Sequence, residues 1–245
     1  MLVLALDTTT RQGSVALMRD GVVLATYAGD AAVTHGVRLP GDVVRLLDAQ
    51  TLRIADVDLF AVAAGPGSFT GLRIGIATMQ GLAMANSKPL VGISALDAIN
   101  EAVSSQLSDL SISLSAQPSA LSPRDEVAVW MDAGRGQVFS ALYRNRAVFE
   151  SALVDKPAEI LARWAREGSV PPIFAGDGAL AYRDLILGAA PSTGVVDPVP
   201  PLAPAVARLA DLHVQQHGAA SPDAIRPIYI RRSDVELARD RKAAS

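Results

Sequence analysis

A mixed α/β fold of two similar lobes is what the 245-residue chain predicts. Three strand-like runs open it, a helix–strand–helix pattern follows them, and the same order returns after a serine-rich stretch. Half of the residues are hydrophobic, enough for a large core.

The opening "LVLALD" is an apolar run of strand length, and "SVALMRDGVVLATYA" reads as two strands turning at Arg19-Asp20-Gly21. A helical pattern follows, with Leu39, Val43, Leu46, Leu47 and Gln50 on one side and Arg38, Asp42, Arg45 and Asp48 on the polar side. Pro40 is expected to start or bend that helix. Then come the strand "DLFAVAAG", a helix over about Thr70–Met84, the strand "PLVGIS" and a helix over about Ala95–Val103. The stretch 104–123 is serine-rich and reads as a linker, which sets lobes at 1–105 and 106–200.

In the second lobe "EVAVWMDA", "QVFSALYRN" and "AVFESALVD" are strands, followed by the helix "PAEILARWAREG", the strand "PPIFAGDG" and the helix "AYRDLILGAA". A last helix, about 202–217, carries Val206, Leu209, Ala210 and His213 and is expected to pack back on the first lobe; a basic tail occupies 218–245. Two βββαβα halves are the plan of the actin-like, sugar-kinase and Hsp70 fold, a duplicated ribonuclease H-like unit. That analogy carries no activity with it.

Zero cysteines exclude disulfides, thiolate metal sites and a cysteine nucleophile. The opening strand meets Asp7 too early for a signal peptide or membrane span, so a cytoplasmic protein without membrane contact is expected. A net charge of -3 offers no global attraction to nucleic acid.

Gly65 and Gly67 follow a strand and precede a helix, where backbone amides could face an anion. Yet Thr70 stands where a dinucleotide fingerprint needs glycine, and Leu72-Arg73 follows Gly71 where a P-loop needs Lys-Ser/Thr. The favoured reading is a tight turn at Pro66-Gly67, a cap from Ser68 or Thr70, and close backbone approach at Gly71, Gly75 and Gly81.

Asp7 with Thr8, Thr9 and Thr10 resembles the first phosphate loop of actin-like ATPases, and Asp132 with Gly134 and Gly136 is the equivalent turn of the second half; both also read as ordinary hydrogen-bonded turns. His213 and His217 stand at i and i+4, but Val214 replaces a metalloprotease glutamate and His35 has Leu39 four residues on. No metal site and no catalytic residue is therefore expected.

The blocks "LALDTTTRQGSVAL", "AAGPGSFTGLRIGIATMQGLA", "MDAGRGQVFSALY" and "IRPIYIRRSDVE" resemble, in order, those of the bacterial TsaB (YeaZ) family. Gly65, Pro66, Gly67, Ser68, Phe69, Thr70, Gly71 and Arg73 form the most specific of them. The resemblance implies an actin-like protein in N6-threonylcarbamoyladenosine synthesis on tRNA, a non-catalytic partner of a TsaD-type transferase joined by a TsaE-type ATPase. It implies contact with tRNA through the complex, no firmly bound cofactor, weak ATP or ADP at the complex interface, and a homodimer when the partner is missing. It places the partner interface on the two helices carrying Leu39, Val43, Leu46, Leu47, Leu72, Gly75, Ile76 and Met79. TsaD-type members carry a His-x-x-x-His metal pair where this chain reads "HGVRL". Competing readings are an autonomous actin-like ATP-binding enzyme, resting on the Asp7 and Asp132 turns, and an M22-type metallopeptidase, resting on His213 and His217.

Overall fold

In the computed structural model, which describes residues 1–113, 126–168 and 170–231, the first sheet is laid down by β1 (Leu2–Asp7), β2 (Ser14–Arg19) and β3 (Val22–Ala28). The parallel strands β4 (Leu59–Gly65) and β5 (Leu90–Ser94) complete it in the order β3-β2-β1-β4-β5. Helices α1 (His35–Asp48), α2 (Phe69–Ala85) and α3 (Ala95–Ser113) follow β3, β4 and β5 in turn.

The second half repeats the plan with β6 (Glu126–Gly134), β7 (Gln137–Arg144), β8 (Ala147–Asp155), α4 (Pro157–Arg166), β9 (Ile173–Ala175), α5 (Asp177–Ala181), α6 (Arg183–Ala189), β10 (Gly194–Val195) and α7 (Ala203–His217). Its sheet runs β10-β9-β6-β7-β8.

Successive residues of a strand face opposite sides of its sheet, and both sides of these sheets are covered, so the central strands read as unbroken apolar runs. Leu4 and Leu6 of β1 face α1 and α2 on the outside, where Leu39, Val43, Ile76 and Met79 close a core with Phe60 and Val62. Val3 and Ala5 face the other lobe. There they join Val127, Val129 and Phe139 of the second sheet through Leu96 and Ile99 of α3 and Val206 and Ala210 of α7. One continuous core thus spans both lobes, while Trp130, Trp164 and Phe174 fill a third behind the second sheet. Tyr143 adds a polar tie, its hydroxyl donating to Asp97 across 2.6 Å.

Four expectations need correction. Helix α1 begins at His35, before Pro40, which lies inside it on the exposed face. Helix α3 runs on to Ser113, so the first ten residues of the serine-rich stretch are helical and the boundary near 105 falls inside a helix; residues 114–123 lie outside the described residues. The single helix expected at "AYRDLILGAA" is two, broken at Tyr182, whose φ of -113° and ψ of 24° leave the helical range. Part of the tail is anchored rather than solvated, as the site shows; Arg232, Arg239, Arg241 and Lys242 lie outside the described residues.

The glycines of α2 differ in what they face. A Cβ at Gly71 would stand 2.2 Å from the Thr8 carbonyl oxygen, and one at Gly75 would stand 2.2 Å from Thr8 Oγ1, whereas one at Gly81 would meet nothing within 4 Å. Gly71→Ala and Gly75→Ala should each destabilise the fold by about 1–3 kcal/mol through overpacking. Gly81→Ala should stabilise it by about 0.5–1 kcal/mol, the ordinary difference between the two residues in a helix. Denaturant unfolding of the three variants measures the contrast.

Candidate functional site

The β4–α2 turn owes its shape to the turn after β1. Gly65 and Gly67 take φ of 115° and 155°, and a Cβ on Gly67 would lie 2.7 Å from the Thr9 carbonyl oxygen. The Ser68 amide donates to the same oxygen across 3.0 Å, and Ser68 Oγ caps α2 by accepting from the Gly71 amide at 3.2 Å. Thr8 Oγ1 donates to the Gly71 carbonyl at 2.8 Å. The glycines admit the threonines of the chain's own first turn.

Within that turn Asp7 is spoken for. Its Oδ1 accepts from the Thr9 amide at 2.8 Å and from the Thr9 hydroxyl at 2.5 Å, while Oδ2 accepts from Thr10 at 3.3 Å. The carboxylate is 1% exposed. Burial pushes its pKa above the ordinary value, and the hydrogen bonds from Thr9 oppose that rise in part. The turn after β6 is similar but exposed: Asp132 Oδ1 accepts from the Gly134 amide at 2.8 Å, and Arg135 and Gly136, both at positive φ, make the two-residue hairpin.

Beside the first turn lies an arrangement that periodicity hides. Arg38 and Asp42, placed by their spacing on the polar side of α1, are only 8% and 1% exposed. The guanidinium donates to Asp42 at 2.5 Å, to the Gln12 carbonyl, and to His35 Nδ1 at 2.8 Å. His35 Nε2 in turn donates to the Thr10 carbonyl at 3.0 Å. Burial, with the neighbouring Arg38 charge next, holds the His35 imidazole below its ordinary pKa. A Cβ at Gly29 would fall 1.7 Å from Arg38 Nη1. That glycine, and Gly13 with a φ of 59° and a Cβ position 2.8 Å from Arg38 Nη2, were the available sequence signal. Arg38 thus fills the space beside His35 with a fixed positive charge, which disfavours a cation there.

Two cavities flank the region. One of 340 Å³ lies between the lobes, with Asp7, Asp177 and Asp197 on its wall and Arg11 as its basic residue. The other, of 520 Å³, lies between the start of α2, the Asp132 turn and residues 228–231. Those last residues belong to a strap over the first lobe. Gln80 donates to the Pro222 and Ile225 carbonyls at 2.8 and 3.2 Å, the Ile228 amide donates to Ala64 at 2.7 Å, and Arg231 reaches Gln137 of the other lobe at 2.7 Å. Tyr229 stacks on Phe69, centroids 5.6 Å apart, and Arg73 lies over the Phe69 ring at 3.9 Å. The tail's "IRPIYI" already carried the signal, with Ile225, Ile228 and Tyr229 spaced to touch a surface.

His213 and His217 are exposed and stack on each other, 4.8 Å between centroids. Among the described residues no three His, Asp or Glu side chains gather as a metal-binding set. Nor is any helix among them long and apolar enough to cross a membrane. The eight residues expected at the partner interface, Leu39, Val43, Leu46, Leu47, Leu72, Gly75, Ile76 and Met79, are all buried inside the first lobe. Their helices offer solvent the opposite side, where Val37 is 75%, Val44 54% and Met84 61% exposed.

The duplicated sheets, the helices that cross between them and the paired aspartate turns define an actin-like two-lobed protein. Residues 29–189 match the family model described as TsaD: tRNA N6-adenosine threonylcarbamoyltransferase. The chain is 28% identical over 239 residues, 96% of each chain, to the tRNA threonylcarbamoyladenosine biosynthesis protein TsaB of Bacillus subtilis (strain 168). It is 41% identical to the TsaB protein of Escherichia coli (strain K12) over 96 residues, 39% of this chain and 41% of that one. A crystal structure from Pseudomonas aeruginosa, described as an uncharacterized protein with similarity to peptidase YeaZ, superimposes with a TM-score of 0.71 at 25% identity. That match covers 94% of this chain and 99% of the other. The chain belongs to this family, in its TsaB (YeaZ) branch.

Two outcomes follow from the buried charges. Asp42→Ala strands the Arg38 guanidinium and should cost about 3–5 kcal/mol of stability, whereas Arg38→Met with Asp42→Leu should cost less, by denaturant unfolding. For Asp7, a folded pKa raised above the unfolded one means that its contribution is most favourable at low pH and is lost as pH rises through the folded value. Asp7→Asn, which keeps an acceptor for Thr9, should raise the thermal midpoint at pH 7, and the gain should shrink as pH falls and vanish below about pH 3, where the aspartic acid is neutral in both states.

Proposed function

We propose that the chain is a non-catalytic scaffold subunit in tRNA threonylcarbamoyladenosine biosynthesis. In this reading it activates a TsaD-type transferase by docking on it, works in the cytoplasm, and meets a TsaE-type ATPase and tRNA through that complex. The names of its relatives supply the process; the surface of α1 and α2 supplies the docking face.

The carrying observation is a set of glycines that the chain itself does not need. Cβ atoms at Gly41 and Gly81 would meet nothing within 4 Å, and one at Gly36 would meet only Ile74 at 3.8 Å. Each stands in a helix, where glycine costs about 1 kcal/mol against alanine. Around them lie the exposed Val37, Val44 and Met84. A second backbone packed close against the two helices offsets both penalties, and a second copy of the chain can use the same face when the transferase is missing.

Two features support a scaffold over an autonomous ATP-dependent enzyme. The Asp7 oxygens are occupied by Thr9 and Thr10, and the cavity beside them carries three carboxylates, which repel phosphate. Weak ATP or ADP binding then belongs to the interface with the transferase, where the partner's groups complete the site.

Threonylcarbamoyl transfer to tRNA, reconstituted with the cognate transferase, ATPase and adenylate-forming enzyme, should fall to background when this chain is omitted. Transfer that runs equally well without it defeats the reading. Gly81→Leu should abolish co-purification with the transferase while leaving the thermal midpoint of the free chain within a few degrees of wild type. A bulky residue at Gly75 would not serve, because it strikes Thr8 inside the lobe.

A further inference from the structure

We propose that the 520 Å³ cavity at the start of α2 is a stacking site for one base of a single-stranded RNA, with the adjoining phosphates on arginines. The inference rests on the tRNA-modification reading above and assigns this chain a nucleic-acid contact of its own.

The cavity is within the size range of about 300–1,000 Å³ that small ligands occupy. Its rim is aromatic: Phe69 is 44% exposed and Tyr229 48%, and the two rings are already stacked, so a base can extend the pile without ordering new side chains. Phe139 lies on the wall contributed by the second lobe. A stacked pair of half-exposed rings on a cavity rim, unlike the single exposed ring of Phe149, offers a planar partner of any base identity a surface to stack on.

Charge sorts the two cavities. The interlobe cavity beside Asp7 is lined by three aspartates, but this one has Arg135 and Arg231 on its wall. Arg231 is held in place by Gln137 and by its position 5.9 Å from the Phe139 ring centroid, while Arg73 lies over Phe69 and donates to the Tyr229 hydroxyl at 3.4 Å. Asp132 is the carboxylate on the wall, and one of its oxygens accepts from the Gly134 amide. Arginine beside aromatic faces is the arrangement that grips a base and its phosphate together. Arg73, outside the cavity lining but against Phe69 and Tyr229, adds a third basic group beside the aromatic pair. Three arginines around one aromatic pair, together with the tRNA-modification reading, favour a strand with more than one phosphate over a free nucleotide, although the chain as a whole is acidic.

The test is ultraviolet crosslinking of the full chain to a short single-stranded oligouridylate carrying 4-thiouridine, with peptide mapping, in parallel with fluorescence anisotropy of the same RNA. Crosslinks are expected on Phe69 or Tyr229. Phe69→Leu with Tyr229→Leu should weaken binding at least tenfold, in line with the loss of a base–aromatic stack. Arg231→Gln should weaken it and flatten its salt dependence, while Phe149→Leu, an exposed aromatic of β8, should change nothing. Unaltered thermal midpoints of the variants show that the fold is intact.

Absence of crosslinks, or crosslinks elsewhere that survive the Phe69 and Tyr229 replacements, overturns the site. Full competition by free AMP or ATP at equal nucleotide concentration overturns the strand and leaves a nucleotide pocket. The omission assay separates the two readings: if transfer requires the chain but no crosslink forms here, the RNA site fails alone, and if transfer ignores the chain, the scaffold reading fails.

Discussion

The contact between the Thr8–Thr9 backbone and the glycines of α2 is the constraint on which the rest of the molecule depends. It brings the end of β1, the β4–α2 turn and the first half of α2 closer than any side chain at 67, 71 or 75 would permit. Fixing α2 there fixes where Phe69 projects, which side of the helix is left to solvent, and where the strap of residues 222–231 finds its partners in Gln80 and Ala64. The same contact binds the hydroxyl groups of the first turn to the chain itself. Thr8 is used on Gly71, and Thr9 on Asp7. These hydroxyl groups are thereby part of the packing between β1 and α2.

Arg38 extends this from the other side of the turn. A buried guanidinium needs its charge compensated, and here Asp42 does so while the Gln12 carbonyl and His35 take donors of the two terminal nitrogens; Arg38 Nε is left without a partner among the described residues. Through His35 the network reaches the Thr10 carbonyl, so both flanks of the Asp7 turn are held, one by α2 and one by α1. Since the lobes also share a single core through α3 and α7, a wide opening between them would break apolar contacts in the middle of the molecule.

The sequence announced the elements well because both faces of each sheet are covered, which turns central strands such as "LVLALD" and "LFAVAAG" into unmistakable apolar runs, and because the βββαβα order occurs twice. Boundaries were less legible. The serines that read as a linker are compatible with helix in α3, where polar residues can lie on a solvent side, and Pro40 is compatible with the inside of α1 because it faces out. The site was legible in its residues but not in their orientation. Spacing put Arg38 and Asp42 on the polar side of α1, and only the three-dimensional position of Gly29 reveals that this side is covered. Likewise, basic residues drew attention to the tail, whereas Arg231 shares the anchoring with Tyr229 and with the backbone of residues 222–228.

Two kinds of glycine in one helix carry the distinction between fold and function. In α2 the inward glycines, Gly71 and Gly75, are explained completely by Thr8, and no partner need be invoked for them. Gly81 has no such explanation within the chain, and neither has Gly41 of α1. Sequence alone cannot separate these groups, because all of them read as small residues that permit close approach. Once contacts among the described residues are accounted for, Gly41 and Gly81 are the helical glycines of α1 and α2 that meet nothing within 4 Å, and they lie beside the exposed Val37, Val44 and Met84.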